Sequence, residues 1–412
     1  MMKTLVVITF GPVESRSNGY LVRVWNILKA FSKVGKLKVI VLEFPEQSVD
    51  EQVKAINGIT FIRLRGNELS QGKISEMLRR VFTFDLIHAV KFQVFSIYEL
   101  LKHRKLIARS DAVMIEGSLL LAGIVLSKPM GKKVILDTHC INKLLARRFR
   151  SINRLVYLFR VILWDLLERV SIRLSDLVIV VSNEERQFVI KEYGADPHSV
   201  LVIPNIVEPP KRVSREEIVN LRKMLNLEDK IVLMFVGDLR AVQNADAVSY
   251  IINDLAPWIW DKRKDVVFLI VGRGEEKFQC TTPNIMFTGF VEDLAPYLVM
   301  ADVCIAPLRV GAGTKTKVLE YLAYGKPVIT TPIGVEGLED LVKGLNQVII
   351  ADINTFKETL LDVIEKLKSG GLKSSKWNPM TIYQRLYDDF YNSSRRVVKW
   401  ICRNMTKNTG SS

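Results

Sequence analysis

Ala306-Pro-Leu-Arg-Val-Gly-Ala-Gly-Thr-Lys-Thr-Lys-Val-Leu-Glu320 leaves an apolar, strand-like run and enters a helix near Thr316. It is followed by Tyr321-Leu-Ala-Tyr-Gly-Lys-Pro-Val-Ile-Thr330, which ends in the next strand-like run. A strand-to-helix junction of this kind aims free backbone N–H groups and the positive end of the helix dipole at one point, which suits a diphosphate. Gly311 and Gly313 let a ligand approach the backbone closely, and Arg309, Lys315 and Lys317 supply positive charge beside Thr314 and Thr316. Glu320, one turn inside the helix, can accept hydrogen bonds from ribose hydroxyls. The competing reading is a solvated lysine-rich loop with a surface glutamate; it leaves the coincidence of glycines, cations and junction unexplained.

Outward from this stretch the pattern repeats. Strand-like runs Leu5–Phe10, Leu37–Glu43, Ile59–Leu64, Phe84–Ala89, Ala112–Glu116, Lys133–Asp137, Leu177–Val181 and Val200–Ile203 alternate with helix-like segments. After Pro204-Asn205 and Glu208-Pro209-Pro210 the alternation restarts with Ile231–Val236, Val266–Val271, Ile285–Phe287, Val303–Ile305, Pro327–Ile329 and Val348–Ile350. Alternation of this kind predicts parallel βαβ units, and the prolines mark a linker. The expected class is α/β, with two doubly wound, Rossmann-like parallel-sheet domains facing a cleft. The expected boundaries are 1–206 on the acceptor side, 207–375 on the nucleotide side, a helix over 376–400 returning to the first domain, and a flexible tail at 401–412. In such sheets ligands sit beyond the C-terminal ends of the strands, where strand order reverses.

The quoted stretch resembles the donor-binding motif of retaining family-4 glycosyltransferases (glycosyl transferases group 1), in the glycine-rich variant that reads approximately PLR-x-G-x-G-T-x-x-K-x-L-E. Asn18-Gly19, Val181-Ser182 before Glu184, Val202-Ile203-Pro204-Asn205 and Ile270-Val271-Gly272-Arg273-Gly274 extend the resemblance over most of the chain. It implies the GT-B architecture and donor contacts by Arg309, Gly313, Thr314, Lys315, Thr316, Lys317 and Glu320, with Gly19 in a loop near the donor phosphate and the reacting sugar. An ordinary N-terminal turn is the alternative for Gly19. Two departures stand out. Many members carry a first glutamate where this chain has Ala312, and basic residues for the diphosphate where this chain has Gly237-Asp238-Leu239-Arg240 and Asn244. Phosphate neutralisation is thereby expected to shift to Arg309, Lys315 and Arg240.

The resemblance places a catalytic histidine at His139, in Asp137-Thr138-His139 at a strand end, and Glu116 ends a neighbouring strand as a second polar candidate. A structural histidine is the alternative. His88 follows Phe84-Asp-Leu-Ile in what reads as a strand, but no catalytic neighbour accompanies it, so it is expected to be structural or peripheral. No HxxH, HExxH or clustered aspartate pair marks a metal site, and the basic residues can stabilise a departing diphosphate, so a metal-independent enzyme without cofactor is expected. The first strand is followed by Gly11 and Gly19, not by G-x-G-x-x-G, which disfavours a hydride-transferring dinucleotide enzyme.

Composition bounds the rest. The 412 residues, 48% hydrophobic and 25% charged, suit a folded globular protein, and four scattered cysteines suit a reducing compartment, so the expected location is cytoplasmic. Met1–Phe10 reads as a buried strand and not as a signal peptide. A net charge of +15 favours anionic partners; nucleic acid is not expected, because no known nucleic-acid-binding pattern accompanies it. Over 142–173, Lys143, Arg147, Arg148, Arg150, Arg154, Arg160, Arg169 and Arg173 interleave with apolar residues. This fits equally a basic helix lying on an anionic membrane at the inner face and a helix packed on its own domain.

The resulting expectation is retaining sugar transfer from a nucleotide diphosphate sugar to a sugar or lipid-linked acceptor, in glycan synthesis. A nucleotide-sugar epimerase on the same fold and a non-catalytic nucleotide-sugar-binding protein are the alternatives.

Overall fold

The computed structural model describes residues 2–15, 19–34, 37–45, 51–64, 86–144, 154–280, 282–369 and 379–404. The chain divides into two units, Met1–Asn205 with Asp388–Ser412, and Ile206–Tyr387.

The N-terminal unit carries β1 (Lys3–Gly11), β2 (Leu37–Pro45), β3 (Gln52–Ile56), β4 (Ile59–Arg63), β5 (Ala112–Glu116), β6 (Lys133–Asp137), β7 (Leu177–Val180) and β8 (Val200–Val202), in the order β3-β4-β2-β1-β5-β6-β7-β8. All neighbours are parallel except β3 and β4. The central strands are buried along their length, as expected of runs such as Leu5-Val-Val-Ile covered on both faces. The helices used below are α1 (Gly19–Val34), α2 (Leu86–Lys102), α3 (Leu121–Ser127), α4 (Arg154–Leu174) and α5 (Asn183–Tyr193). Ser182 caps α5 by accepting from the Glu185 N–H, and Gly194 ends it in the left-handed region.

Two expectations are corrected here. Gln52–Ile56 is a strand that was not foreseen. Its exposed sequence, with Val53, Ala55 and Ile56 interrupted by Gln52 and Lys54, forms an antiparallel edge on β4, and a short edge strand needs no continuous apolar run. The strand expected over Phe84–Ala89 is instead the start of α2, at Leu86, so His88 lies in a helix. A short apolar run does not distinguish a strand from a buried helix turn.

The second unit is a six-stranded parallel sheet of β9 (Ile231–Val236), β10 (Val266–Val271), β11 (Ile285–Gly289), β12 (Val303–Ala306), β13 (Val328–Thr330) and β14 (Val348–Ile350), in the order β11-β10-β9-β12-β13-β14. Its helices include α6 (Val242–Tyr250) and α7 (Thr316–Ala323). The final helix, α8 (Pro379–Asn404), begins in this unit and ends in the first. Strand order reverses between β1 and β5 in one unit and between β9 and β12 in the other. These are the two places where doubly wound sheets open a crevice.

Candidate active site

At the first crevice, strand ends deliver a buried polar cluster. Glu116 ends β5, Asp137 ends β6, and His139 follows two residues later with φ 57°, a left-handed conformation uncommon for a non-glycine residue. That turn brings the ring to the strand ends: His139 Nε2 lies 2.7 Å from Glu116 Oε2 and 3.8 Å from Asp137 Oδ2. The imidazole stacks on Tyr20 of α1, with centroids 4.3 Å apart. The Tyr20 hydroxyl is in turn held by Thr9 Oγ1 at 2.9 Å and donates to the Glu116 carbonyl at 3.2 Å.

Arg23, one turn further along α1, is buried. Its Nε and Nη2 donate to the two Asp137 oxygens at 2.9 and 2.8 Å, and Nη1 donates to the Ile203 carbonyl and to Asn205 Oδ1 at 3.0 and 2.8 Å. Burial alone would raise Asp137, but Arg23 and His139 hold it below the usual carboxylate range. Glu116 goes the other way: burial pushes it up, only partly opposed by the His139 hydrogen bond, and the Asp137 charge adds to the rise. The result is a carboxyl whose proton affinity is raised beside a carboxylate whose affinity is lowered, with an imidazole touching the first. Such a pair can give or take a proton at one point.

Glu116, Asp137 and His139 present ligand-type atoms within 4.8 Å of one another, a juxtaposition no sequence motif showed. Both Asp137 oxygens already accept from Arg23, so the cation around which this cluster is built is a guanidinium. Gly19 begins α1, exposed, next to Tyr20. The sequence reading missed Arg23, Tyr20 and the pairing of Glu116 with His139. An arginine amid Tyr20-Leu-Val-Arg-Val-Trp25 was a visible signal of a buried cation, but its partner lies 114 residues away.

At the second crevice the glycine-rich loop leaves β12 and enters α7. Gly313 has φ 68° and Gly311 φ 146°, conformations that favour glycine. No side chain caps the start of α7, and Thr314 Oγ1 is buried without a hydrogen-bond partner. Val318, Leu319, Tyr321 and Leu322 bury the inner face of α7, and the Tyr321 hydroxyl accepts the Val236 N–H at 2.9 Å, which pins the helix to the end of β9. Lys317 and Glu320, three apart, therefore share the other face. The Glu320 carboxyl takes no hydrogen bond among the described residues, and burial pushes it up to about 7. Gly272 packs the β9 and β10 ends together: a Cβ there would meet the Gly237 carbonyl oxygen at 1.8 Å.

The expected phosphate cations are differently placed. Arg309 pairs with Asp246 at 2.7 Å, Arg240 bonds Asp238 at 2.5 Å, and Lys315 donates to the Gly313 carbonyl and lies 3.8 Å from Glu336. Lys317 instead reaches Asn244 Oδ1 at 2.6 Å across the face of Phe235.

Two doubly wound parallel-sheet units, each gathering polar side chains where its strand order reverses, place the chain in the α/β class with GT-B architecture. The family model described as Glycosyltransferase Family 4 matches residues 17–210, and that described as Glycosyl transferases group 1 matches residues 230–366. The chain belongs to these GT-B glycosyltransferases. It is 30% identical over 218 residues to the UDP-Gal:alpha-D-GlcNAc-diphosphoundecaprenol alpha-1,3-galactosyltransferase of Escherichia coli, a match that covers 48% of this chain and 54% of the relative. The chain thus spans about half the length of that curated relative. Among solved structures it is similar to alpha,alpha-trehalose 6-phosphate synthase from Burkholderia multivorans, with TM-score 0.70 and 13% identity over 100% of each chain. It is also similar to Anabaena HepE in complex with UDP, with TM-score 0.61 and 16% identity over 98% of this chain and 99% of that one. At these identities the structures speak to the fold.

Proposed function

We propose that this chain transfers a sugar from a nucleotide diphosphate sugar to an acceptor with retention of anomeric configuration, without a metal ion. The observation that carries this is the loop between β12 and α7: an uncapped helix start, a partnerless buried Thr314 hydroxyl and an unbonded Glu320 carboxyl beside Lys317. These are the groups a diphosphate and a ribose would satisfy. The Escherichia coli relative's UDP-galactose and the UDP held by HepE support a uridine nucleotide. In the transfer, the acceptor oxygen bonds to the sugar's anomeric carbon on the face from which the diphosphate departs, and the acceptor proton passes to the departing phosphate. Basic groups and the α7 helix start stabilise the charge that grows there.

Glu320→Ala tests the donor assignment. Loss of hydrogen bonds to hydroxyls is expected to weaken UDP binding by about 1–3 kcal/mol, measured by calorimetry on a variant that unfolds at the wild-type temperature. Unchanged affinity would remove Glu320 from the site. A panel of nucleotide sugars with and without acceptor sugars separates transfer from epimerisation, which needs no acceptor, and retained turnover in a chelator tests metal independence.

We further propose that the acceptor is lipid-linked and that the N-terminal unit rests on an anionic membrane at the cytoplasmic face. No helix among the described residues is long and apolar enough to cross a membrane. What supports peripheral binding is α4, which is apolar on two faces. Trp164 and Ile172 pack inward, whereas Leu158, Ile162 and Leu166 stand 53–56% exposed at four-residue spacing. Val94, Tyr98 and Leu101 are exposed in the same way on α2, and Val125 on the intervening α3, which packs against both helices. Of the basic residues expected to face the membrane, Lys143 turns inward to Asp165 at 2.5 Å and Arg169 bonds the Glu192 carbonyl at 3.1 Å. Arg147, Arg148 and Arg150 lie outside the described residues.

Wild-type protein is expected to co-sediment with phosphatidylglycerol vesicles. Replacing Leu158, Ile162 and Leu166 with serine should release it, since burying each such side chain contributes about 1.5–3 kcal/mol. Neutralising Arg147, Arg148, Arg150 and Arg154 should weaken binding by about 1 kcal/mol per charge at low salt. Equal sedimentation of wild type and the serine variant would move the contact elsewhere.

A further inference from the structure

Among the described residues near the β9 and β12 ends of the second unit, three cations already have polar partners, and a fourth, Arg273 on the loop after β10, lies over the Phe290 ring with 4.1 Å to its centroid. Arg309 pairs with Asp246, Arg240 with Asp238, and Lys315 with the Gly313 carbonyl and, at 3.8 Å, with Glu336. A phosphate recruiting any of these must compete with an interaction already made. Lys317 is different. Its ammonium lies 3.9 Å over the Phe235 ring and donates to the neutral Asn244 Oδ1 at 2.6 Å, and no carboxylate among the described residues lies within ion-pair distance of it.

Asn244 is itself fixed, because its Nδ2 donates to the Asp238 carbonyl at 2.8 Å and its Oδ1 is thereby turned towards Lys317. Gly237 completes the arrangement. A Cβ at that position would lie 2.7 Å from Asn244 Nδ2 and 3.0 Å from Lys317 Nζ, so only glycine leaves both side chains in place.

We infer that Lys317, held by Asn244 beside Gly237, is the principal diphosphate cation of this protein, in place of a basic residue on the loop that follows β9. The inference rests on the donor-site reading above and deepens it: Asn244 becomes a positioning residue, and binding of an anionic donor becomes coupled to the charge of one buried lysine. Burial pushes the Lys317 ammonium down to about 7, only partly opposed by Glu320 on the same helix face, with Lys315 adding a smaller lowering. The remaining charged groups of the loop after β9, Asp238 and Arg240, neutralise each other. Burial therefore favours the neutral lysine, and a phosphate beside it favours the charged form, so that binding draws a proton onto it.

The test is calorimetric titration with UDP at pH 8 in two buffers of different ionisation enthalpy. Wild type is expected to take up as much as one proton on binding; Lys317→Arg, which stays charged, is expected to bind without that uptake. Lys317→Met should lose about 10- to 100-fold in UDP affinity, the range for a hydrogen bond to a charged group. The exchanged pair Asn244→Lys with Lys317→Met should recover most of that loss without needing the native lysine, which a merely structural role for Lys317 would not allow.

Wild-type affinity in a folded Lys317→Met variant, or equal proton uptake by wild type and Lys317→Arg, would overturn the inference while leaving the donor site standing. Failure of wild type to bind UDP or GDP at millimolar concentration would overturn the donor-site reading and this inference with it.

Discussion

Replacing His139 by asparagine is expected to lower sugar-transfer turnover by about 10²–10⁴-fold, the range for a residue that moves or positions a proton, while UDP affinity stays near wild type. The proposed nucleotide contacts belong to the loop between β12 and α7, and His139 belongs to the other unit. Asparagine is the suitable replacement because position 139 has φ 57°, which asparagine tolerates and alanine does not. Glu116→Gln should produce a loss of the same kind. Glu116 lies 2.7 Å from the imidazole, and burial pushes its carboxyl up, which favours its protonated form. The sign for pH follows. A raised carboxyl loses its proton as pH rises, so the alkaline limb of wild-type turnover should shift or vanish in Glu116→Gln. Turnover within a factor of a few of wild type in His139→Asn would reduce the pair to a structural contact.

The largest stability effect is expected at Arg23. Arg23→Met leaves the buried Asp137 carboxylate without its two strongest hydrogen bonds and strips the Ile203 carbonyl and Asn205 Oδ1 of a shared donor. Breaking a buried ion pair from one side costs about 3–5 kcal/mol. For a unit of this size, that lowers the unfolding temperature by about 10 °C. The double variant Arg23→Met with Asp137→Asn should be less damaged than the sum of the two single changes, because the uncompensated charge is gone. Additive losses in that cycle would mean that Arg23 acts through packing and not through Asp137.

The α/β class and most strands were legible in the sequence, and so was the glycine-rich stretch between β12 and α7. Each of these is written in a short window: Ile231–Val236 and Val266–Val271 are strands because unbroken apolar runs bury on both faces, and Gly311-Ala-Gly313 before Thr316 allows the backbone turn that leads into α7. Even there, the short windows misled at Phe84–Ala89, where apolar character was shared by strand and helix, and at Gln52–Ile56, where a five-residue edge strand has no continuous apolar run.

Which side chains become partners was settled by the folded chain. Arg23 finds Asp137 and Asn205, His139 finds Glu116, and Lys317 finds Asn244 across 73 residues, whereas Arg309, expected at the phosphates, pairs with Asp246. The physical reason is that a charged group's partner is set by where strand ends meet after the sheet assembles. The local patterns that direct the backbone contain no term for a distance closed over a hundred residues of chain.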